Sequence, residues 1–288
     1  MIYDNSSIQA YKDCHERYRL RFIEALVKRT DGLESHDINF GSATHAALEA
    51  HYKGQSVDQA KSVFEAEYGV QLDLEDKAKT LENGLNMIEA YIKHYASEDK
   101  SFEVLEVEQP DEVELAPGIK FVVKRDTVIR QQGCIYVLEH KSTKKSLTFD
   151  YWQQFEPNSQ LSAQTYSCIK KYGECSGVIV NALQVGHRER AYKGEPAGAY
   201  FKFQRQVFNR TKEQVEAWRQ DTLGWIAKIE ANRVGAKDLS WLKNEGQCRF
   251  CSFKEVCITL ADEQIIESLF DRVENPYAYI GEINGKAD

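Results

Sequence analysis

Residues 137–145 read VLEHKSTKK. The run leading into them, Cys134-Ile135-Tyr136-Val137-Leu138, is rich in β-branched and aromatic residues and predicts a buried strand. Alternation of period two then sets Ile135, Val137, Glu139 and Lys141 on one side, with Tyr136, Leu138 and His140 on the other. A carboxylate and an ammonium therefore share one face near the end of a buried strand. In isolation such an E-x-K is most often a surface ion pair, worth 0 to ~1 kcal/mol. The residues upstream argue otherwise. In GIKFVVKRDTVIRQQGCIYVLEHKS, residues 118–142, two strand-like runs meet at Gln132-Gly133, the natural place for a hairpin loop. With Gln131 facing Cys134, counting back sets Asp126 opposite Glu139, at a Cβ separation of roughly 4.5–5.5 Å. Two carboxylates so placed repel, and a hard divalent cation turns that repulsion into coordination. A slip of one residue would separate them.

The chain of 288 residues is long enough for one large domain or two small ones. No window approaches eighteen apolar residues, and MIYDNSSIQAYKDCHERYRL has no apolar leader core, so the expectation is a cytoplasmic protein without a membrane partner. In that compartment the seven cysteines are read first as metal ligands, not as a disulfide set. The net charge of −8 weighs against general affinity for duplex nucleic acid, although a local basic face matters more than the total. Basic stretches occur at 17–22 (RYRLRF), 141–145 (KSTKK) and 186–193 (GHRERAYK), each most simply a solvated face.

Along the chain, Ser6 and Gln9 have capping-box spacing, and Ile8, Tyr11, His15, Tyr18 and Phe22 recur as one helical stripe. A second helix is expected from Ser42, and two more in VDQAKSVFEAEY and KAKTLENGLNMIEAYIKHYA. Strands are expected at about 102–115, in the hairpin 119–142, and in GVIVNALQV and AYFKFQRQVF, with a helix in NSQLSAQTYSCIKKYG between hairpin and strands. A long helix, TKEQVEAWRQDTLGWIAKIEANR, precedes a cysteine-rich segment and an acidic tail. The simplest architecture is α/β, a central mixed sheet flanked by helices in a single domain spanning 1–288. Its parts are a helical region 1–100, a core 101–210, a helix and cysteine region 211–260, and a tail 261–288.

Residues 247–257, QCRFCSFKEVC, set Cys248, Cys251 and Cys257 in a C-x2-C-x5-C array, one thiolate short of a tetrahedral or cubane site. Cys134 and Cys168 sit in apolar patterns and read as core thiols. Cys14 lies in the charged KDCHERY, off the apolar stripe, and is the best fourth ligand. Structural zinc commonly uses paired short knuckles, so this asymmetric spacing favours a four-thiolate iron–sulfur cluster, with structural zinc as the alternative. His45, in GSATH, falls in the first turn of the small-residue helix expected from Ser42; a lone histidine there is ordinarily a satisfied core or surface residue. Gln160 and Gln164 share one helix face, which a solvated polar face explains equally well.

Taken in order, these residues resemble the RecB-like iron–sulfur branch of the PD-(D/E)XK nuclease superfamily, which includes CRISPR-associated RecB-like exonucleases, AddB and exonuclease V. The matches are a first-helix cysteine, G-x3-H in GSATH, Asp126, Glu139-His140-Lys141, a glutamine helix and C-x2-C-x5-C, covering residues 6 to about 257. The resemblance implies a restriction-endonuclease-like core. It implies that His45, Asp126, Glu139 and the backbone carbonyl of His140 bind one or two Mg2+ or Mn2+ ions. Lys141 would orient or deprotonate the attacking water, and Gln160 would position the DNA backbone or the lysine. The family's Q-x3-Y is altered here, since the tyrosine, Tyr166, stands six residues after Gln160. Cys14, Cys248, Cys251 and Cys257 would hold a [4Fe-4S] cluster that clamps the chain ends. The implied activity is a metal-dependent DNA exonuclease on single strands or duplex ends, in recombination, repair, phage replication or CRISPR spacer processing. A helicase, recombinase or integrase is the implied protein partner. The competing readings are a structure-specific endonuclease and a non-catalytic DNA-binding or assembly protein; the last has no need of His45, Asp126, Glu139 and Lys141 together.

Overall fold

A computed structural model describes residues 2–29, 36–69, 76–235 and 240–277. In chain order the elements are β1 (Ile2–Asp4), α1 (Asn5–Asp13), α2 (His15–Tyr18), a π-type turn Arg19–Ile23, β2 (Leu26–Lys28), α3 (His36–Tyr52), α4 (Val57–Tyr68) and α5 (Leu81–Tyr95). Then come β3 (Phe102–Ala116), β4 (Ile119–Gln131), β5 (Cys134–Thr143), α6 (Phe149–Gln153), α7 (Ser159–Tyr172), β6 (Gly177–Arg188) and β7 (Gly198–Asn209). The chain ends in α8 (Lys212–Arg233), a 3-10 turn Glu245–Phe250, α9 (Lys254–Ile258), α10 (Glu263–Leu269) and β8 (Phe270–Arg272). They form two compact units, each assembled from separated segments: Leu33–Gln109 with Lys124–Thr211, and Met1–Gly32 with Pro110–Val123 and Lys212–Asp288.

In the larger unit, β4 and β5 form an antiparallel hairpin, β5 pairs in parallel with β6, and β6 pairs antiparallel with β7. The hairpin register has Gln131 opposite Cys134, as the sequence predicts. Gln132 and Gly133 both take positive φ, 51° and 81°, which is what a two-residue turn matched to strand twist requires. Alternation sorts the strands between two cores. Ile129, Leu138, Ile179 and Leu183 pack against α3, α4 and α5, while Val128, Val137, Val178 and Val180 pack against α6 and α7. Ala43 and Ala47 on the buried face of α3 leave room for close packing. An α/β fold with a central mixed sheet flanked by helices is thus observed.

In the smaller unit, β1 runs parallel to the start of β4, with Ile2 to Asp4 beside Lys120 to Val122. A separate core of Leu20, Leu26, Phe253, Val256, Ile266 and Phe270 joins β2 and β8 to the cysteine region.

Three expectations are corrected. The first helix is capped by Asp4, whose carboxylate accepts from Ser6 and Ser7 backbone N–H groups, so the capping box is Asp4/Ser7 instead of Ser6/Gln9. An acidic side chain two positions ahead of the first serine makes the stronger acceptor. That helix is also not continuous. Cys14 is extended, with φ −165° and ψ 119°, and splits the stripe between α1 and α2. Finally, α3 already includes His36, so His45 lies in its third turn, not its first. Part of the expected acidic tail, residues 278–288, lies outside the described residues.

Candidate functional site

The open end of the β4–β5 hairpin carries the carboxylates. The recorded pairing runs to Thr127 opposite Leu138, one step before Asp126 and Glu139. Asp126 Oδ2 accepts the backbone N–H of His140 at 2.7 Å, which ties the carboxylate to the neighbouring strand. Glu139 is buried and fully engaged: Oε1 accepts from Lys141 Nζ at 2.5 Å and Gln160 Nε2 at 2.7 Å, and Oε2 from Gln164 Nε2 at 2.5 Å. Lys141 also donates to Gln160 Oε1 at 3.3 Å. Helix α7 supplies both glutamines because positions four apart share a face.

The charges are strongly perturbed. Burial, followed by repulsion from Asp126, raises the Glu139 carboxyl above its usual range. Burial also opposes ionisation of Asp126, yet the adjacent His45 more than offsets it and holds that carboxyl well below the usual range. For Lys141, burial disfavours the charge, but Glu139 and then Asp126 reverse the balance and raise it.

His45 Nδ1 lies 3.3 Å from Asp126 Oδ1 and 3.7 Å from Glu108 Oε1. Burial would lower its pKa; Asp126 and Glu108 outweigh that and push it up to about 10. Ligand atoms of His45, Glu108 and Asp126 all lie within 4.8 Å of one another. One imidazole nitrogen and hard carboxylate oxygens suit Mg2+ or Mn2+.

Sequence reasoning missed Glu108. It stands in LEVEQPDEVE, where several acidic residues look like one solvated strand edge. Two features mark it in the structure. Lys124 Nζ meets its other oxygen at 2.5 Å, and its backbone φ is 47°, a conformation non-glycine residues seldom adopt. Strain of this kind predicts that Glu108→Gly is more stable than Glu108→Ala by about 1 kcal/mol, since both remove the carboxylate and only glycine relaxes the backbone. Urea unfolding of the two variants measures this, and equal midpoints would remove strain from the account.

His140 turns its side chain to the opposite face. Its ring stacks on Tyr52, with centroids 5.4 Å apart, and Nδ1 meets Asn181 Nδ2 at 2.8 Å. Burial lowers its pKa to about 3, so the imidazole is neutral. Behind it Asn181, Tyr91 and Tyr52 bond to one another or to Arg205, and Arg205 pairs with Asp99 at 2.8 Å. This buried polar network also escaped the sequence reading, because its members are scattered over α3, α5, β5, β6, β7 and the turn that carries Asp99. Tyr166 is buried on α7, and its ring faces Lys170 Nζ at 5.3 Å. Helical periodicity places it about 120° around from Gln160.

The four cysteines come together in the smaller unit. They line one cavity of about 310 Å3, with Arg17, Lys243 and Lys254 also on its wall. The break at Cys14 frees its sulfur to approach Asn244 N at 3.4 Å, and Asn244 Nδ2 donates to Asp13 O at 2.8 Å. Cys248 Sγ meets Asn244 O at 3.8 Å, so one residue bridges the first and last cysteine segments. Burial, then Glu16, Cys251 and Cys14, raise the Cys257 thiol, against an opposing effect of Lys243.

Among solved structures, a "Putative exonuclease" from Eubacterium rectale is similar over 87% of this chain and 86% of its own, with a TM-score of 0.50 and 13% identity. At that identity the likeness concerns the fold. The structure of SSO0001 covers 88% of this chain and 95% of its own at 12% identity, with a TM-score of 0.29 that carries no argument. No curated protein matches in sequence. The family model of the PD-(D/E)XK nuclease superfamily matches residues 5–258, which takes in both the hairpin carboxylates and the cysteine array, and the chain belongs to that superfamily.

Proposed function

We propose that this protein is a Mg2+- or Mn2+-dependent deoxyribonuclease that degrades DNA from free ends. The observation that carries the reading is the convergence of Asp126, Glu139, Lys141 and Gln160 at one buried strand end, with His45 and Glu108 beside it. Such a cluster of charges costs stability and has no structural purpose that apolar residues would not serve better.

His45, Asp126, Glu139 and the carbonyl of His140 are the proposed ligands, with Glu108 added from its position. A bound divalent ion supplies a water of lowered pKa and stabilises charge on the phosphate. Lys141, held by Glu139 and Gln160, presents an ammonium where negative charge grows on the scissile phosphate. Gln160 and Gln164 fix the Glu139 carboxylate so that it needs little reorganisation. Tyr166 is proposed only as a support within α7.

The cysteine cavity is proposed to hold a [4Fe-4S] cluster. A tetrahedral zinc site with bonds of about 2.3 Å draws its sulfurs to within ~4 Å of one another. The only groups of three candidate ligands within 4.8 Å among the described residues contain no cysteine. Wider sulfur spacing around a cavity supports the larger cofactor over zinc.

The decisive experiment compares linear with covalently closed single-stranded DNA, with and without Mn2+. Degradation of the linear form only, abolished by EDTA, is the expected result. Equal rates on closed circles would favour an endonuclease, and cleavage in excess EDTA would overturn the metal-dependent reading.

A further inference from the structure

Strand β5 does not stop at the candidate site. From Lys141 it leads through Ser142 and Thr143 into the loop Lys144 to Thr148, and α6 opens with Phe149. Lys145 lies at most about 14 Å along the chain from Lys141. Phe149 is 75% exposed, and Lys145, Ser146 and Thr148 are exposed with it. Two clefts of about 600 Å3 and about 430 Å3 adjoin here, since Ser146 and Thr148 line both. The larger one reaches Gln184, Lys202 and Phe203; Gln184 pairs with Thr143 in register.

Charge pairing separates these cations from their neighbours. Lys77, Lys124, Lys141 and Lys144 are each within 4 Å of a carboxylate. Lys145 and Lys202 have no such partner among the described residues, in a chain whose net charge is −8. A single exposed phenylalanine is ordinary on a protein surface. One that follows the candidate catalytic strand, next in sequence to Thr148 where the two clefts adjoin, with Lys145 on the wall of one cleft and Lys202 on the wall of the other, has the mixture that a nucleic-acid strand requires: cations for phosphates and an aromatic face for a base.

We propose that the β5–α6 loop binds the unpaired end of a single DNA strand, with Lys145 and Lys202 at its phosphates and Phe149 stacked on a base. The proposal rests on the nuclease reading and adds a substrate form to it. A stacked duplex offers base faces only at its ends, whereas every base of a single strand offers one, so an exposed ring selects the single strand.

The test uses the full-length protein in EDTA, with a short oligothymidylate carrying a terminal 2-aminopurine whose fluorescence falls on stacking. Wild type should bind and quench. Phe149→Ala should lose the quench and bind about tenfold more weakly, with Phe149→Trp restoring both. Joint Lys145→Ala and Lys202→Ala should lower the log–log salt slope by about 1.4, at 0.7 for each phosphate contact. All three positions lie on or near the surface, and circular dichroism confirms that the variants fold. Wild-type-like binding, quench and salt slope in the variants of an active nuclease would overturn the proposal and leave the nuclease reading intact. Tighter binding of a blunt duplex than of the single strand would also overturn it. A wild type that neither binds nor degrades DNA would remove the nuclease reading, and this proposal with it.

Discussion

Glu139→Gln is expected to fold as the wild type does and to lose DNA cleavage by at least a hundredfold. The amide keeps the side chain's size and can still meet Lys141 and one glutamine, but it withdraws the negative charge that a cation and Lys141 both need. Lys141→Ala should lose a similar factor, roughly 10²–10⁴, the scale for one preorganised electrostatic or acid–base group. The two effects should not add, because each residue holds the other in place at 2.5 Å. Stability should change little at neutral pH, because two opposing effects are lost together: burial and Asp126 disfavour the ionised Glu139 carboxylate in the fold, whereas that carboxylate favours the partly buried Lys141 ammonium. A variant that is stable, folded and inactive is therefore the expected outcome of thermal unfolding and end-labelled DNA assays. Full activity in folded Glu139→Gln or Lys141→Ala would remove this cluster from the chemistry.

The legibility of these features in the sequence follows their range. The hairpin was readable because a two-residue turn, two alternating strands and a fixed register are local, and Gln131 does face Cys134. The start of α3 was not, because a glycine and serine at 41–42 resemble a boundary, whereas the packing of Phe40 and Ala43 carries the helix through them. Glu108 and Asn181 were invisible for a related reason. Each gains meaning only from groups on other elements, His45 and Lys124 for the first, His140 and Arg205 for the second. Gln164 shares the helix face of Gln160, although the resemblance gives a role to Gln160 alone. The structure shows that both bind Glu139, and Gln164 is the more buried of the two.

Cys14→Ala should release iron and sulfide, or bound zinc, and loosen the smaller unit. Cys14 is the one ligand from the start of the chain, while Cys248, Cys251 and Cys257 lie within ten positions of one another near its end. A cofactor held by all four closes a loop from 14 to 248. By the chain-entropy relation used for cross-links, closing so long a loop contributes on the order of 5 kcal/mol. Residual structure and ligand contacts in the unfolded chain make this an upper value. At roughly 2–4 °C per kcal/mol for a chain of this size, the melting temperature should fall by about 10–20 °C. Other ties join the same segments, namely Asn244 to Asp13, Glu16 N to Leu242 O, the β2–β8 pairing and the core of Leu20, Leu26, Phe253, Val256, Ile266 and Phe270, so the smaller unit should loosen without coming apart. Cys168→Ala provides the contrast. That thiol is buried against the α7 face of the larger unit, remote in sequence from the array, and its loss should act as a small core truncation with metal content unchanged. Anaerobic purification with iron, sulfide and zinc analysis, followed by calorimetry, separates the cases. Brown wild type with iron and sulfide supports the cluster, and colourless protein with stoichiometric zinc supports the alternative. If Cys14→Ala retains full metal and the wild-type melting temperature, the four-cysteine site is wrong, while the carboxylate cluster, built from other residues, stands unaffected.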